Sequence, residues 1–170
     1  MTTLIDEATL QARVKEVARD IRRDAGPDAI LLLGVLKGAF MFMADLMRSI
    51  GGDVTCDFIS VSSYVGSTSS GEVQIRKDVD SPLEGRRVII VEDIVDTGLT
   101  LHYLRGILQK RNPKTLHTAC LLSKPSRRKT TVPVDYVGFE IEDRFVVGYG
   151  LDFNERYRNL PFIAIVEGVS

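Results

Sequence analysis

Residues Val88 to Thr100 read Val-Ile-Ile-Val-Glu-Asp-Ile-Val-Asp-Thr-Gly-Leu-Thr, a buried-type strand, then three acids, then a Thr-Gly-x-Thr that opens a helix. Free N–H groups at a helix start bind anions. Gly98 permits close backbone approach, and Thr97 and Thr100 add hydroxyl donors, so Asp96 to Thr100 makes a cradle for a phosphate monoester. The acids Glu92, Asp93 and Asp96 would repel that phosphate unless they serve something else. Adjacent carboxylates accept hydrogen bonds from a vicinal diol. They also suit Mg²⁺ and a cationic transition state. The plain alternative is a capped helix with solvated acids at its start. Three acids beside a hydroxyl-rich turn exceed what capping needs. The G-x-x-x-x-G-K-[ST] and G-x-G-x-x-G loops are absent, and the D-x-x-D spacing of Asp93 and Asp96 is not the D-x-D of a phospho-aspartate enzyme.

The elements around this segment place it. Leu10, Val14, Val17, Ala18 and Ile21 predict a helix over about 7–23, stopped by Ala25-Gly26-Pro27-Asp28. Buried strands are expected at Ala29 to Val35, Arg87 to Val91 and Leu116 to Leu122, and a weaker one at Val54 to Ser62. Helices are expected at about Ala39 to Ile50 and around Leu101 to Leu108. Short strands follow near Tyr136 to Phe139, Phe145 to Gly148 and Phe162 to Val166. Strands alternating with helices predict an α/β fold, a mostly parallel twisted sheet flanked by helices. Ligands of such sheets sit beyond the carboxyl ends of the strands. The Ser, Thr and Gly run from about 62 reads as a mobile loop.

The chain has 170 residues, 44% of them apolar, and a net charge of -1. These values predict a single domain over 1–170 with a sizeable core. They speak against a nucleic-acid partner, and the lack of a long apolar run speaks against a membrane, so a cytoplasmic location is expected. Cys56 and Cys120 are expected to be reduced core residues. His102 and His117 have no ligand partner at useful spacing and are read as structural or exposed.

The 92–100 segment resembles the phosphoribosyl-pyrophosphate signature of the type I phosphoribosyltransferases, and the chain from about Ala29 to Val166 resembles the hypoxanthine-guanine branch of that family. The resemblance implies the type I phosphoribosyltransferase fold, with a small hood from the terminal segments and a mobile loop at about 62–76. It implies purine salvage: transfer of the phosphoribosyl group of 5-phosphoribosyl 1-pyrophosphate to N9 of hypoxanthine or guanine, giving IMP or GMP and pyrophosphate, with Mg²⁺. Residue by residue, it implies Glu92 and Asp93 on the ribose hydroxyls, Asp96 as general base at N7, and Asp96, Thr97, Gly98, Leu99 and Thr100 around the 5′-phosphate. Leu99 stands where relatives often carry Lys. Leu36, Lys37 and Gly38, with Ser63, Tyr64 and Arg158, would meet pyrophosphate, and the Leu36–Lys37 peptide is often cis in the family. Lys124, Phe145, Val146 and Asp152 would meet the base. Glu92, Asp93 and Asp152 would meet the metal. A homodimer or homotetramer is implied as well. Rival readings are a regulatory RNA-binding protein on the same fold, which would need a basic face, and an adenine or pyrimidine transferase. Lys124 and the Phe145 to Asp152 stretch decide against the latter.

Overall fold

Strand β2 (Ile30–Leu36) shows why the sheet is covered on both sides. Ile30 and Leu32 join one apolar cluster, while Leu31, Leu33 and Val35 join another. Alternate side chains point to opposite faces, so an unbroken apolar run needs two cores. The structure, a computed structural model, describes residues 1–63 and 73–169.

The remaining elements are β1 (Thr2–Ile5), α1 (Glu7–Ala25), α2 (Phe40–Ile50), β3 (Val54–Ser63), β4 (Val73–Lys77), β5 (Arg87–Val95), α3 (Leu99–Gln109), β6 (Thr115–Ser123), β7 (Tyr136–Glu140), β8 (Val146–Val147) and β9 (Ile163–Ile165). A six-stranded sheet runs in the order β4-β3-β2-β5-β6-β7, parallel except for the β3–β4 pair. Helices α1 and α2 cover one face through Leu10, Val14, Ile21, Phe42 and Leu46. Helix α3 covers the other through Leu101, Leu104 and Leu108. A side chain at Gly34 would collide with Met43, so this glycine lets α2 lie close on β2. Asp6 caps α1 by accepting from Thr9 N at 2.8 Å, and Gly26, at φ 58°, ends it.

A second sheet, β1-β9-β8, joins the two ends of the chain and makes the expected hood. The polar start of the chain conceals β1: only Ile5 of its residues is buried, so no alternation marks it. Three expectations need correction. Both ends of the range expected as a loop, about 62–76, are strand instead, because Ser62 and Ser63 end β3 and Val73–Lys77 form β4, paired antiparallel from Ser60↔Lys77 to Ser63↔Val73. Residues 64–72 of that stretch, Tyr64 included, lie outside the described residues. Strand β5 continues past Val91 to Val95, because its ladder with β6 runs on to Val95↔Ser123. Glu92 and Asp93 therefore sit inside a central strand. Finally, Cys56 is exposed and only Cys120 is buried. Strand β4 pairs with β3 only from Ser60 onward, which leaves Cys56 on an open edge.

Candidate active site

The carboxyl ends of β2, β5 and β6 converge on one cleft. Strand β2 hands over to Leu36-Lys37-Gly38, where the Leu36–Lys37 peptide is cis. A side chain at Gly38 would collide with the Asp93 carboxylate, and one at Gly150 would collide with the Gly38 carbonyl. Three segments far apart in sequence, 36–38, 92–93 and 150–158, are thereby packed edge to edge. The last, together with Tyr149 just before it, is an irregular run in which Tyr149, Asn154, Glu155 and Tyr157 all have positive φ, between 49° and 76°. Such backbone is costly for residues with side chains and clusters at functional sites.

Glu92 is 6% exposed. Among the described residues neither Glu92 nor Asp93 forms an ion pair. Burial, then the charge of Asp93, pushes the Glu92 carboxyl well above the ordinary range. Burial likewise pushes Asp93 up to about 6, against the Ile94 amide, which donates to Asp93 Oδ1 at 2.8 Å, and the charge of Arg158. Asp152 raises it further. Such a pair asks for donors or a cation from a ligand. Its all-oxygen chemistry suits Mg²⁺. Among the described residues no group of three or more metal-ligating side chains is preassembled, so Glu92, Asp93 and Asp152 do not form a ready cage. Mg²⁺ does not need one, since it binds through one or two carboxylates, waters and substrate phosphates.

Beyond β5 the chain turns through Asp96 and Thr97 into α3, with Gly98 at φ 83° in the cap position. Thr97 Oγ1 accepts from Leu99 N at 3.4 Å. Glu92, Asp96, Thr97, Gly98 and Thr100 line a cavity of about 100 Å³, at the segment expected to cradle a phosphate. Leu99 points out of it and is 44% exposed.

A larger cavity of about 570 Å³ adjoins the cradle. It shares Asp96 and adds Lys124, Arg127, Asp143, Phe145, Ile165 and Val166 among its walls. Lys124, at the end of β6, is 7% exposed and so is no member of a solvated basic run. Its Nζ stands 3.4 Å from Asp143 and 4.0 Å from Asp96. Phe145 packs edge to face on Phe153, with centroids 5.5 Å apart. Val146 is buried beside it in β8.

The third corner is cationic but internally matched. Glu155 accepts from Lys37 Nζ at 3.0 Å and from Arg158 at 3.1 Å. Lys37, then Arg158, hold its carboxyl below the usual range. Arg158 also donates to the Gly150 carbonyl at 2.6 Å and stands 3.4 Å from Asp152. Of the expected pyrophosphate contacts, Ser63 is described only as a β3 residue paired with Val73. His102 is exposed and His117 half-buried, away from the cleft.

Sequence reasoning passed over four residues here. Arg128 donates to the carbonyls of Val95 and Asp96, each at 2.8 Å, to Ser123 Oγ at 2.8 Å and to the Lys124 carbonyl at 3.3 Å. One guanidinium thus ties the end of β5 to the end of β6. Arg127, Asp143 and Glu155 are the others. The basic run 127–129 reads as solvated surface, and only opposite charges elsewhere in the chain hint otherwise.

A strand-end cleft, a hydroxyl-lined cradle at a helix start and buried acids beside it define a sugar-phosphate transferase site. The chain belongs to the phosphoribosyl transferase domain family, whose model matches residues 3–154. Within that family it falls among the hypoxanthine-guanine phosphoribosyltransferases. It is 50% identical over 165 residues to the hypoxanthine-guanine phosphoribosyltransferase of Bacillus subtilis, covering 96% of this chain and 92% of the relative. It resembles the crystal structure of a hypoxanthine-guanine phosphoribosyltransferase from Bacillus anthracis with TM-score 0.94, 52% identity and 98% of each chain covered. It also resembles a hypoxanthine phosphoribosyltransferase from Trypanosoma cruzi solved with the product IMP, with TM-score 0.92, 42% identity and 99% and 95% covered.

Proposed function

We propose that this chain transfers the phosphoribosyl group of 5-phosphoribosyl 1-pyrophosphate to N9 of hypoxanthine or guanine, releasing pyrophosphate and forming IMP or GMP in purine salvage. The observation that carries the reading is the place of Asp96, shared by a cradle of about 100 Å³ and a larger cavity holding Lys124 and Phe145. A nucleotide has those two ends, a phosphate and a base, with the ribose between them.

The residues divide the work. The amides and hydroxyls from Asp96 to Thr100 hold the 5′-phosphate. Glu92 and Asp93 accept from the ribose hydroxyls and stabilise positive charge as the bond from C1′ to the leaving oxygen breaks. Asp96 takes the proton at N7, which makes N9 the better nucleophile. Lys124, buried and cationic, donates to O6. A 6-amino purine would leave that donor unpaired, so adenine is disfavoured. Phe145 and Val146 hold the ring. Lys37, Gly38 and Arg158 meet the departing pyrophosphate, with Ser63 and Tyr64 in the same role. Glu92 and Asp93, with Asp152 near, would hold Mg²⁺, which would supply charge neutralisation at the diphosphate. A cytoplasmic location and a homodimer or homotetramer complete the reading. Among the described residues no helix is long and apolar enough to cross a membrane.

The test is a spectrophotometric assay with 5-phosphoribosyl 1-pyrophosphate, Mg²⁺ and each of hypoxanthine, guanine, xanthine, adenine and uracil. Turnover of the 6-oxopurines without adenine is expected. Asp96→Asn should lower kcat by about 10²–10⁴-fold. Normal turnover by that variant would remove Asp96 from the base role.

A further inference from the structure

We infer that Arg127 is a positioning residue for the transfer proposed above, on which this inference rests: it holds Asp96 so that Oδ2, not Oδ1, is presented to N7 of the purine. Arg127 Nε donates to Asp96 Oδ1 at 3.1 Å. Asp96 Oδ2 is the oxygen that faces Lys124, with Nζ 4.0 Å away. N7 and O6 lie side by side on one edge of a 6-oxopurine and are read together by a two-pronged partner. An acceptor for N7–H and a donor for O6 must therefore stand as neighbours, which describes Asp96 Oδ2 and Lys124 Nζ. A carboxylate free to rotate would offer either oxygen at either angle. Anchoring Oδ1 fixes the plane of the group and leaves the other oxygen aimed at the base.

Asp143 completes the device. Its Oδ1 lies 3.4 Å from Lys124 Nζ and its Oδ2 3.6 Å from Arg127. Two acids and two bases alternate around the wall of the large cavity. The single 3-10 turn at Pro125–Arg127 sets the arginine's backbone, closed by Arg127 N to the Lys124 carbonyl at 3.0 Å. Arg127 and Asp96 are each close to half exposed, so their pair adds little to folding stability. Its consequence is orientation.

The test is a double-mutant cycle on the full-length protein, with kcat and both KM values measured for hypoxanthine and 5-phosphoribosyl 1-pyrophosphate. Arg127→Met should lower kcat by about 10-fold to 10²-fold, the range for a misplaced reacting group. The KM for the phosphoribosyl donor should stay within about two-fold, as no cradle contact is lost. Arg127→Lys should restore part of the rate. In the Asp96→Asn background, Arg127→Met should add no further loss, because residues acting as one unit are not additive. Thermal midpoints close to wild type would confirm folding. Full additivity, an effect confined to the donor's KM, or no effect would each overturn the inference and leave the proposed function standing. Normal turnover by Asp96→Asn alone would remove Asp96 from the base role and overturn the inference with it, whereas no 6-oxopurine turnover by the wild-type protein would overturn the proposed function.

Discussion

Two corners of the cleft treat charge in opposite ways. At the corner proposed for the ribose, Glu92 is buried and Asp93 half-buried on a central strand, neither in an ion pair among the described residues, and desolvation pushes both upward. At the corner proposed for pyrophosphate, Lys37 and Arg158 share the carboxylate of Glu155, at 3.0 and 3.1 Å. The difference teaches where ligand binding does its work. The first corner is held in an unfavourable state that substrate and metal, bound as proposed, would relieve. The second holds an internal anion where the proposed function puts the diphosphate, so substrate would exchange one set of ion pairs for another. Binding free energy arises mainly where the protein has left a need unmet, and exchange is easy where it has not.

The largest effect should come from the unmet corner. If Asp93 stabilises the ribosyl cation as proposed, Asp93→Asn should lower kcat/KM by about 10²–10³-fold. The same change should stabilise the ligand-free protein. Because the carboxyl of Asp93 is raised from 3.8 to about 6, folding favours its protonated form. Its contribution is therefore harmless below about pH 4 and becomes a penalty as pH rises through 6. Asn escapes that penalty, on the order of 3 kcal/mol at pH 8 and vanishing near pH 4. Thermal midpoints of both proteins across pH 4 to 8, without ligand, check it. A variant less stable than wild type at pH 8 would break the contrast drawn above.

Legibility from sequence followed the same division. Asp96 to Thr100 could be read because its chemistry is local: strand end, turn and helix start are contiguous, and each has its own pattern. The two-faced burial of β2 and β5 was equally plain, since a continuous apolar run admits few other uses. Lys124 and Phe145 carry no local signal. Only resemblance marked them, because their roles depend on which distant segment lies opposite. Arg127, Asp143 and Glu155 were missed for the same reason, as a charge on a loop reads as solvated until its partner is known. Strands β1 and β4 were missed because edge strands are short and half exposed, and the alternation in Val73–Lys77 followed a Ser-rich run. Cys56 was placed inside because its neighbours are apolar, while the edge that exposes it depends on how far β4 reaches.

An intermediate effect belongs to Arg158. Its guanidinium shapes the 150–158 turn through the Gly150 carbonyl and is proposed to meet the diphosphate. Arg158→Ala should raise the KM for 5-phosphoribosyl 1-pyrophosphate about 10-fold to 10²-fold, the worth of hydrogen bonds to a charged group. Arg158→Lys keeps the charge but not the fork, and should fall between. Equal KM values for Lys and Ala would mean that the turn, not the charge, is what matters.

The smallest effect is the most telling about the matched corner. Glu155→Gln removes the internal anion and leaves Lys37 and Arg158 to the ligand alone. Exposed ion pairs are weak, so the gain is modest. The KM for the phosphoribosyl donor and the inhibition constant of pyrophosphate should both fall by about two- to five-fold. Where pyrophosphate release limits turnover, kcat should fall with them, since a tighter product leaves more slowly. The carboxyl of Glu155 is held low by Lys37 and Arg158, so it stays charged through the neutral range. The difference between variant and wild type should therefore be flat from pH 6 to 9 and shrink only in acid, as Glu155 itself protonates. Product-inhibition kinetics at pH 5 and pH 8 measure this directly. An unchanged inhibition constant at both values would show that Glu155 does not compete with the diphosphate, and the two corners would then differ in charge but not in kind.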